Sequence, residues 1–282
     1  MGLTIKELLP VGEKILKDTD VECYKINAEV LLCFVAGFDR KELFLYQDRE
    51  ASDTVREEWL SLINRRAKGE PLQYITGEQY FMGHRFSVDP SVLIPRPETE
   101  LLAEKAIDYL HANGSAKTVL DLCTGSGVLA ISLAIACPRV KITASDISHG
   151  AIAIAVQNAA ALDVSDRIAF VLSNLFSLLP GRSFDLIVTN PPYLKTVELM
   201  DLSRVIADHE PLSALDGGPD GLDFYRRIAV RVRSFMSPGA CLMAEIGANQ
   251  AEEVSAIFIG AGFTSAEISK DLNGLDRVLT VF

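Results

Sequence analysis

The first part of the chain repeats apolar residues at intervals of three and four, which places them on one face of a helix. Residues 5–16 contain one such stripe, and a second follows a short polar stretch. Glu7 stands three residues after Thr4, and Glu42 stands three residues after Asp39. This is the spacing of a capping box at the start of a helix. The pattern predicts a small helical domain with few strands.

Residues 73–95 change character, because short apolar and aromatic runs alternate with glycines. Three runs, 73–77, 80–88 and 93–95, are predicted to be short strands joined by glycine turns. We expect a β-hairpin here that links the helical domain to the rest of the chain. A helix is predicted to begin near Pro97, because proline and acids are favoured in the first turn.

From Lys117 onward, strand-like and helix-like segments alternate, which is typical of a doubly wound sheet of mostly parallel strands. We therefore predict a helical domain over residues 1–72, a hairpin linker over 73–95 and an α/β domain over 96–282. The strands predicted in the α/β domain are 118–122, 140–146, 168–172, 184–189, 239–246 and 277–282. The helices predicted between them are 127–136, 151–162 and 248–259.

The strand predicted over residues 184–189 ends in Asn190-Pro191-Pro192-Tyr193. Prolines fix φ and carry no N–H, so this backbone can offer carbonyls to a ligand without pairing as a strand. The Asn190 side-chain oxygen is a further acceptor, and Tyr193 supplies a flat face. Together they suit a planar group with an NH2, either an amide or the exocyclic amine of a base. The alternative interpretation is a plain strand-ending turn.

A loop with two glycines, residues 121–127, lies between the first predicted strand of the α/β domain and the next helix. Glycine allows close approach of a ligand to the backbone, and the helix N-terminus presents free N–H groups. Asp146, at the end of the next strand, can accept both hydroxyls of a ribose. Asp121 can pair with an ammonium group, which S-adenosylmethionine has and NAD lacks. These residues leave the ribosyl cofactor open between a dinucleotide and S-adenosylmethionine.

Composition narrows the class of partner. The chain has 282 residues and a net charge of −11, which argues against holding a long stretch of nucleic acid. Its five cysteines lack CxxC spacing, so we expect reduced thiols in a cytoplasmic protein and no zinc site. We also expect no membrane span and no signal peptide, because no long apolar run and no basic leader occur. The four histidines show no ligand spacing and are not interpreted as catalytic: His84, His111, His149 and His209.

These motifs resemble the PrmC/HemK family of S-adenosylmethionine-dependent methyltransferases. That family methylates N5 of the glutamine in the Gly-Gly-Gln loop of class I peptide chain release factors. The resemblance runs nearly end to end and includes Pro-Leu-Gln-Tyr-Ile-Thr-Gly at 71–77, Leu-Ile-Pro-Arg-Pro-Glu-Thr-Glu at 93–100 and Glu-Pro-Leu-Ser-Ala-Leu at 210–215. It implies a Rossmann-like class I methyltransferase sheet with a small N-terminal helical domain that docks the release factor. It also implies a role in tuning translation termination. The sequence does not indicate an oligomeric state, and a monomer is the default expectation.

The resemblance implies a set of residues that bind S-adenosylmethionine and release S-adenosylhomocysteine. Within this set, Asp146 would hold the ribose, and the turn containing Asn174 and Leu175 would border the adenine. Relatives often carry an acid where Asn174 stands, but an amide oxygen can also meet the adenine amine. Cys123 stands where relatives frequently have glycine, which indicates that the backbone φ at this position is one that both residues can adopt. We expect its thiol to contribute to packing and not to the chemistry. The set is Asp121, Cys123, Thr124, Gly125, Ser126, Gly127, Asp146, Asn174, Leu175 and Asn190.

The family reaction also assigns expected roles to the Asn-Pro-Pro-Tyr segment. Asn190 Oδ1 and the Pro191 carbonyl would accept the two hydrogens of the substrate amide, and Tyr193 would pack against the amide plane. Pro192 completes the substrate-binding segment. An N6-adenine nucleic-acid methyltransferase is the alternative, but it should carry a basic target-recognition region, and none is visible. A non-catalytic partner-binding protein is a further alternative, which the intact motif disfavours.

Overall fold

The structure is a computed structural model that describes residues 3–19, 21–115, 117–179, 181 and 183–282. The predicted domains also contain residues 1, 2, 20, 116, 180 and 182, which lie outside the described residues. Contacts divide the chain into two compact units. The first comprises Met1–Gly77 and Ser203–His209, and the second comprises Glu78–Leu202 and Glu210–Phe282. The predicted domain boundaries stay predictions.

The helices, in chain order, are α1 Ile5–Lys17, α2 Tyr24–Ala36, α3 Arg40–Leu45, α4 Asp53–Ala67, α5 Leu72–Thr76, α6 Glu98–Ala112, α7 Val128–Ala136, α8 His149–Ala161, α9 Arg204–Ala207, α10 Asp223–Val232 and α11 Ala251–Gly260. The strands are β1 Glu78–Phe81, β2 His84–Ser87, β3 Thr118–Leu122, β4 Lys141–Asp146, β5 Ile168–Leu172, β6 Phe184–Thr189, β7 Met236–Glu245, β8 Ala266–Lys270 and β9 Asp276–Val281.

The first unit packs α1, α2 and α4 around Trp59, which is fully buried. The indole Nε1 of Trp59 donates a hydrogen bond to the Ala28 carbonyl at 3.0 Å. A Cβ on Gly12 would lie 2.6 Å from the Trp59 ring, so the glycine in α1 makes room for the indole. The predicted helices of this part are confirmed. At α3, the Asp39 N–H donates to Glu42 Oε2 at 2.8 Å, as the predicted capping box requires.

One predicted strand is wrong, because residues 73–77 fall in α5 and its C-terminal cap. Pro71 precedes the helix, where its missing N–H costs nothing. The Thr76 hydroxyl donates back to the Leu72 carbonyl at 3.1 Å, and Gly77 ends the helix with a φ of +74°. Tyr, Ile and Thr favour strands on average, but these local bonds decide the conformation. The third predicted strand, 93–95, is also not a strand.

The β-hairpin is confirmed, as β1 pairs antiparallel with β2, but the run predicted as one strand over 80–88 contains the turn and is divided between the two. Its turn is Met82-Gly83, and both residues have positive φ, +49° and +76°. The hairpin is tied to the rest of the second unit by Asn158 of α8, which is 1% exposed. Asn158 Oδ1 accepts from the Ser87 N–H at 2.7 Å. Asn158 Nδ2 donates to the carbonyls of Ser87 at 3.0 Å and Ser126 at 2.9 Å.

Among the described residues, the main sheet has seven strands in the order β5-β4-β3-β6-β7-β9-β8. The pairs from β5 to β7 are parallel, and those of β9 with β7 and β8 are antiparallel. This confirms the predicted mostly parallel α/β sheet. In the second unit, the edge strand β8 and the helix α10 were not predicted, and in the first unit α4 and α9 were not predicted. The alternating pattern of Ala266–Lys270 and the apolar stripe of α10 were both readable in the sequence.

Buried side chains cover both faces of this sheet. The chain leaves β3 toward β4 on one side and later enters β6 on the other, so the strand order reverses between β3 and β6. A crevice outside the carboxyl ends of the strands is expected at such a switch point. No helix in the described part of the chain is long and apolar enough to cross a membrane.

Candidate active site

A cavity opens in the second unit, where the loops after β3, β4, β5 and β6 come together. It is lined mainly by apolar atoms and by residues from several of the predicted motifs. Nine of the predicted site residues contribute to its wall: Cys123, Thr124, Gly125, Ser126, Asp146, Asn174, Leu175, Asn190 and Pro192. The other four, Asp121, Gly127, Pro191 and Tyr193, lie within two positions of these in sequence and do not line the cavity.

Asp121 is in β3, and its side chain is fully buried. Its Oδ2 accepts from Thr124 Oγ1 at 2.6 Å and from the Ala130 N–H at 3.1 Å. Its Oδ1 has no hydrogen-bond partner among the described residues. Burial raises the pKa of the Asp121 carboxyl to about 7, against the effect of these two hydrogen bonds. A buried acid with an unused oxygen, next to a residue of the cavity wall, favours a nearby cation such as an ammonium group.

The loop after β3 contains three residues with positive φ: Cys123 at +60°, Gly125 at +55° and Gly127 at +84°. A Cβ on Gly127 would lie 3.0 Å from the Ala155 Cβ, so this glycine lets the loop pack closely on α8. A Cβ on Gly125 would have no atom within 4 Å and would enter the cavity space that a ligand needs. Burial raises the pKa of the Cys123 thiol, so the thiol stays protonated at neutral pH.

Asp146 ends β4 and is held by backbone donors on both of its oxygens. Oδ1 accepts from the Ser148 N–H and Oδ2 from the Gly125 N–H, each at 2.9 Å. Burial raises the pKa of this carboxyl, and the backbone N–H groups act against that rise. Each carboxylate oxygen has a second lone pair, so Asp146 can still accept two ribose hydroxyls. The hydrogen bond to Gly125 also fixes the glycine loop relative to β4.

The predicted adenine border contains two residues that the sequence analysis missed, Phe224 and Arg227. Both lie on α10 and line the cavity. Arg227 Nη2 donates to Asn174 Oδ1, and the Arg227 guanidinium lies 5.1 Å from the centre of the Phe224 ring. Leu175, beside Asn174, is buried and has a φ of +48°. The arginine occupies one lone pair of the Asn174 oxygen, so an adenine amine would have to share that oxygen with it. The predicted adenine contact of Asn174 stays a prediction.

Asn190, directly after β6, has its amide held in one orientation. Its Nδ2 donates to Thr99 Oγ1 at 3.1 Å. Thr99 is 3% exposed and lies in the first turn of α6. Because the NH2 end of the amide is engaged by Thr99, Asn190 Oδ1 remains available as an acceptor. The sequence analysis quoted Thr99 within a motif but gave it no role.

Tyr193, which follows Pro192 of the cavity wall, lies next to a buried acid that the sequence analysis also missed. Its hydroxyl donates to Glu245 Oε1 at 3.5 Å. Burial raises the pKa of the Tyr193 hydroxyl to about 12, and the Glu245 charge adds to that rise. Glu245 ends β7 and is 1% exposed. A polar side chain at the end of an apolar strand is the sequence signal that singled out Asn190, and Glu245 carries the same signal.

Two segments of the family resemblance meet beside the cavity. Arg96 Nη2 donates to Glu210 Oε1 at 2.6 Å, and the Ile94 N–H donates to Glu210 Oε2 at 3.3 Å. The Glu210 side chain is 1% exposed and that of Arg96 is 34% exposed. Since Arg96 and Pro211 both line the cavity, this ion pair fixes two parts of its wall.

Comparison with known proteins identifies the family. A model described as the PrmC N-terminal domain matches residues 7–77, and one described as the methyltransferase small domain matches residues 98–208. The release factor glutamine methyltransferase of Geobacter sulfurreducens is 41% identical over 276 residues, which cover 98% of this chain and 95% of that protein. The protein of the same name from Clostridium acetobutylicum is 38% identical over 279 residues, 98% of each chain. The chain belongs to the release factor glutamine methyltransferase family.

The fold of a solved methyltransferase agrees with this family. The structure from Pyrococcus furiosus superposes with a TM-score of 0.54 at 15% identity and covers 72% of this chain and 90% of that one. The predicted family and the class I methyltransferase fold are therefore confirmed. As a member of the release factor glutamine methyltransferase family, the chain is an S-adenosylmethionine-dependent enzyme.

The residues of the cavity fit S-adenosylmethionine on chemical grounds. The unused Asp121 oxygen suits the ammonium group, and the remaining lone pairs of Asp146 suit the ribose. The absence of a Cβ at Gly125 leaves room for close approach to the backbone. The individual roles of these residues stay predictions.

Proposed function

We propose that this enzyme methylates N5 of the glutamine in the Gly-Gly-Gln motif of class I peptide chain release factors and so tunes translation termination. The observation that carries the proposal is the Asn190 amide, which Thr99 orients beside the cofactor cavity so that Oδ1 can accept. The names of the full-length relatives support release factors as the substrate.

The substrate amide is a poor nucleophile, because its nitrogen lone pair is delocalised into the carbonyl. Asn190 Oδ1 and the Pro191 carbonyl accept the two amide hydrogens and thereby hold the nitrogen with its lone pair toward the methyl donor. Pro191 has no N–H, and Pro192, which lacks one too, lines the cavity. Tyr193 packs against the amide plane and excludes water. Most of the acceleration then comes from positioning and from preorganised dipoles.

When bound, S-adenosylmethionine would supply the methyl group to the amide nitrogen, and its sulfur would leave with the electron pair of the broken bond. The nitrogen carries positive charge as this happens, so its hydrogens become more acidic. Asn190 and Pro191 hold those hydrogens throughout, and one proton then leaves to solvent. No strong base is needed before the transfer, because the nitrogen becomes acidic only as it gains the methyl group.

We assign cofactor binding to the loop after β3 and to Asp146, and the adenine border to Asn174 and Leu175. Because release factors act in translation, we place the reaction in the cytoplasm. The enzyme acts as a monomer and holds no stable nucleic acid in this proposal.

The first unit docks the release factor in this proposal. Phe44 and Leu45 are adjacent on α3, and their side chains are 73% and 76% exposed. Exposed neighbouring apolar side chains support a protein-binding surface. The double variant F44A/L45A is expected to raise KM for the release factor about 10-fold and to leave the affinity for S-adenosylhomocysteine unchanged. An unchanged KM would remove α3 from the docking surface.

The function is tested with methyl-labelled S-adenosylmethionine and an unmodified class I release factor, followed by mass spectrometry. Label is expected on the glutamine of Gly-Gly-Gln and is expected to be absent from a factor with that glutamine changed to alanine. Duplex and single-stranded DNA serve as competing substrates in the same assay. Label on adenine alone would overturn the proposal in favour of a nucleic-acid methyltransferase.

The role of Asn190 is tested by Asn190→Ala. Loss of the acceptor is expected to lower kcat at least about 100-fold, as for removal of a preorganised partner of the reacting group. Isothermal titration with S-adenosylhomocysteine is expected to show near-normal affinity. Wild-type turnover in this variant would contradict the role.

A further inference from the structure

Glu245 and Asn190 lie side by side at the carboxyl edge of the sheet. Thr189 of β6 pairs with Ala244 of β7 in parallel register, and Asn190 and Glu245 are the next residues on each strand. The Glu245 side chain is therefore fixed by the end of a buried strand, one strand away from the proposed acceptor of the substrate amide.

Thr99 connects the two residues. Its Oγ1 accepts from Asn190 Nδ2 at 3.1 Å, so its own hydroxyl hydrogen is free to point elsewhere. Thr99 lowers the pKa of the Glu245 carboxyl, and Glu245 Oε2 is a buried oxygen without a hydrogen-bond partner among the described residues. Rotation of the Thr99 hydroxyl toward this oxygen would satisfy it. Such a hydrogen bond would join Glu245, Thr99 and Asn190 in a chain that leads from a buried acid to the cavity.

Packing alone does not account for an acid at this position. Burial raises the pKa of Glu245 to about 7, while Thr99 and the Arg277 charge lower it. The other groups that act on it are Glu98 of α6, whose charge raises its pKa, and the Tyr193 hydroxyl, which lowers it. The Tyr225 hydroxyl of α10 donates to the Glu245 backbone carbonyl at 2.8 Å. A glutamine would fill the same space without the cost of burying a charge.

We propose that Glu245 is a positioning residue for methyl transfer, which acts through Thr99 to hold the Asn190 amide and to strengthen its oxygen as an acceptor. This inference rests on the proposed glutamine methylation. The substrate nitrogen gains positive charge during transfer, and its hydrogens are held by Asn190 Oδ1. A carboxylate behind Thr99 polarises the Thr99–Asn190 hydrogen bond, and polarised chains of hydrogen bonds strengthen one another. This polarisation requires the negative charge of the Glu245 carboxylate, so protonation of Glu245 slows methyl transfer.

The test uses the full chain, with an unmodified release factor as substrate. Glu245→Gln is expected to lower kcat about 10-fold at pH 8, with less than about a twofold change in KM for S-adenosylmethionine. The wild-type kcat is expected to fall as the pH drops below about 7, and the variant is expected to lack that fall. Thr99→Val should produce the same loss, and the double variant should lose little more than either single variant. Thr99→Ser, which keeps the hydroxyl, should retain activity.

A second readout needs neither cofactor nor substrate. Glu245→Gln removes a buried charge, so its melting temperature at pH 8 is expected to equal or exceed that of the wild type. Glu252→Gln, at an exposed position of α11, serves as the matched control and should change neither rate nor stability.

Wild-type methylation of the glutamine together with an unchanged rate and pH profile in Glu245→Gln would overturn this inference alone. A wild type that leaves the glutamine unmethylated would overturn the proposed function and this inference with it. A fall in kcat with a normal melting temperature supports the positioning role, because a purely structural residue would lower both.

Discussion

Arg96 and Glu210, separated by 114 positions in sequence, form an ion pair of 2.6 Å beside the cavity. Glu210 also accepts from the Ile94 N–H, so a single buried carboxylate holds the segment that leads into α6. This relationship gives a structural reason for two motifs that the sequence analysis could only quote.

Glu210→Gln is expected to lower the free energy of unfolding by about 1–3 kcal/mol, because it leaves the Arg96 charge without its partner. Asp220→Asn is the matched control, since the Asp220 and Arg226 side chains are 49% and 47% exposed. An exposed pair is worth about 0–1 kcal/mol, so the control should change little. Urea unfolding measures both, and equal effects would contradict the structural importance of the buried pair.

Asp146→Asn is expected to weaken binding of S-adenosylhomocysteine about 10- to 100-fold. The amide has one acceptor oxygen in place of two and no charge, so it cannot serve the Gly125 and Ser148 N–H groups and two ribose hydroxyls together. Isothermal titration calorimetry measures the change. Asp166→Asn, whose side chain is 82% exposed, is the control and should bind normally. Normal binding by the Asp146 variant would remove this residue from the ribose site.

The stability of the unbound protein is expected to fall as the pH rises from about 5 to 8. Burial raises the pKa of Asp121 and of Glu245 to about 7 in the folded state, well above their values of about 4 in an unfolded chain. Between these values the folded state binds more protons, so the free energy of unfolding decreases with increasing pH. Each group accounts for about 2–4 kcal/mol across this window.

Chemical unfolding at several pH values measures this slope. Asp121→Asn and Glu245→Gln should each reduce the dependence of the free energy of unfolding on pH, and the double variant should reduce it further. Groups whose pKa is lowered, such as Asp185, have the opposite slope, but they change protonation on the more acidic side of this window, because backbone N–H groups and the Thr118 hydroxyl hold the pKa of Asp185 below its ordinary value. A wild-type curve that rises steadily from pH 5 to 8 would show that neither buried acid titrates in this range.

Two glycines of the same loop should respond differently to alanine. Gly127→Ala is expected to lower the free energy of unfolding by about 2–4 kcal/mol, because it combines a φ of +84° with a 3.0 Å approach to Ala155. Gly125→Ala should cost about 1 kcal/mol of stability, since its Cβ meets no protein atom within 4 Å. It should instead weaken cofactor binding, because the methyl group enters the cavity. Thermal unfolding and calorimetry on both variants test this contrast.

Much of the fold was predictable because its signals are local. β3, β5 and β6 have the predicted bounds, since each is a short apolar run flanked by turn residues. The prediction for residues 73–77 also relied on local composition, and there it was wrong. Their composition favours a strand, but the segment forms a short helix between Pro71 and Gly77. The cavity was predictable where a motif ends a strand, as at Asp146 and Asn190.

The remaining parts of the site depend on contacts between distant residues. Arg227 meets Asn174 across 53 positions, and Asn190 meets Thr99 across 91. No periodicity or spacing in one sequence predicts such pairs. Glu245 is intermediate, because an acid at the end of an apolar strand is visible in the sequence. Only the register of β6 and β7 shows that it lies beside Asn190.

Asn158 has a consequence for exchanging the N-terminal helices between members of this family. One buried amide joins the hairpin strand at Ser87 to the cofactor loop at Ser126. A chimaera that replaces the hairpin along with the helices would remove the Ser87 partners of the Asn158 amide. Each buried polar group left without a hydrogen bond would lower the free energy of unfolding by about 1–3 kcal/mol. A junction placed just before Glu78 keeps the hairpin with its amide. The N-terminal helices can then be exchanged without disturbing the hydrogen bonds between the hairpin and the loop at Ser126.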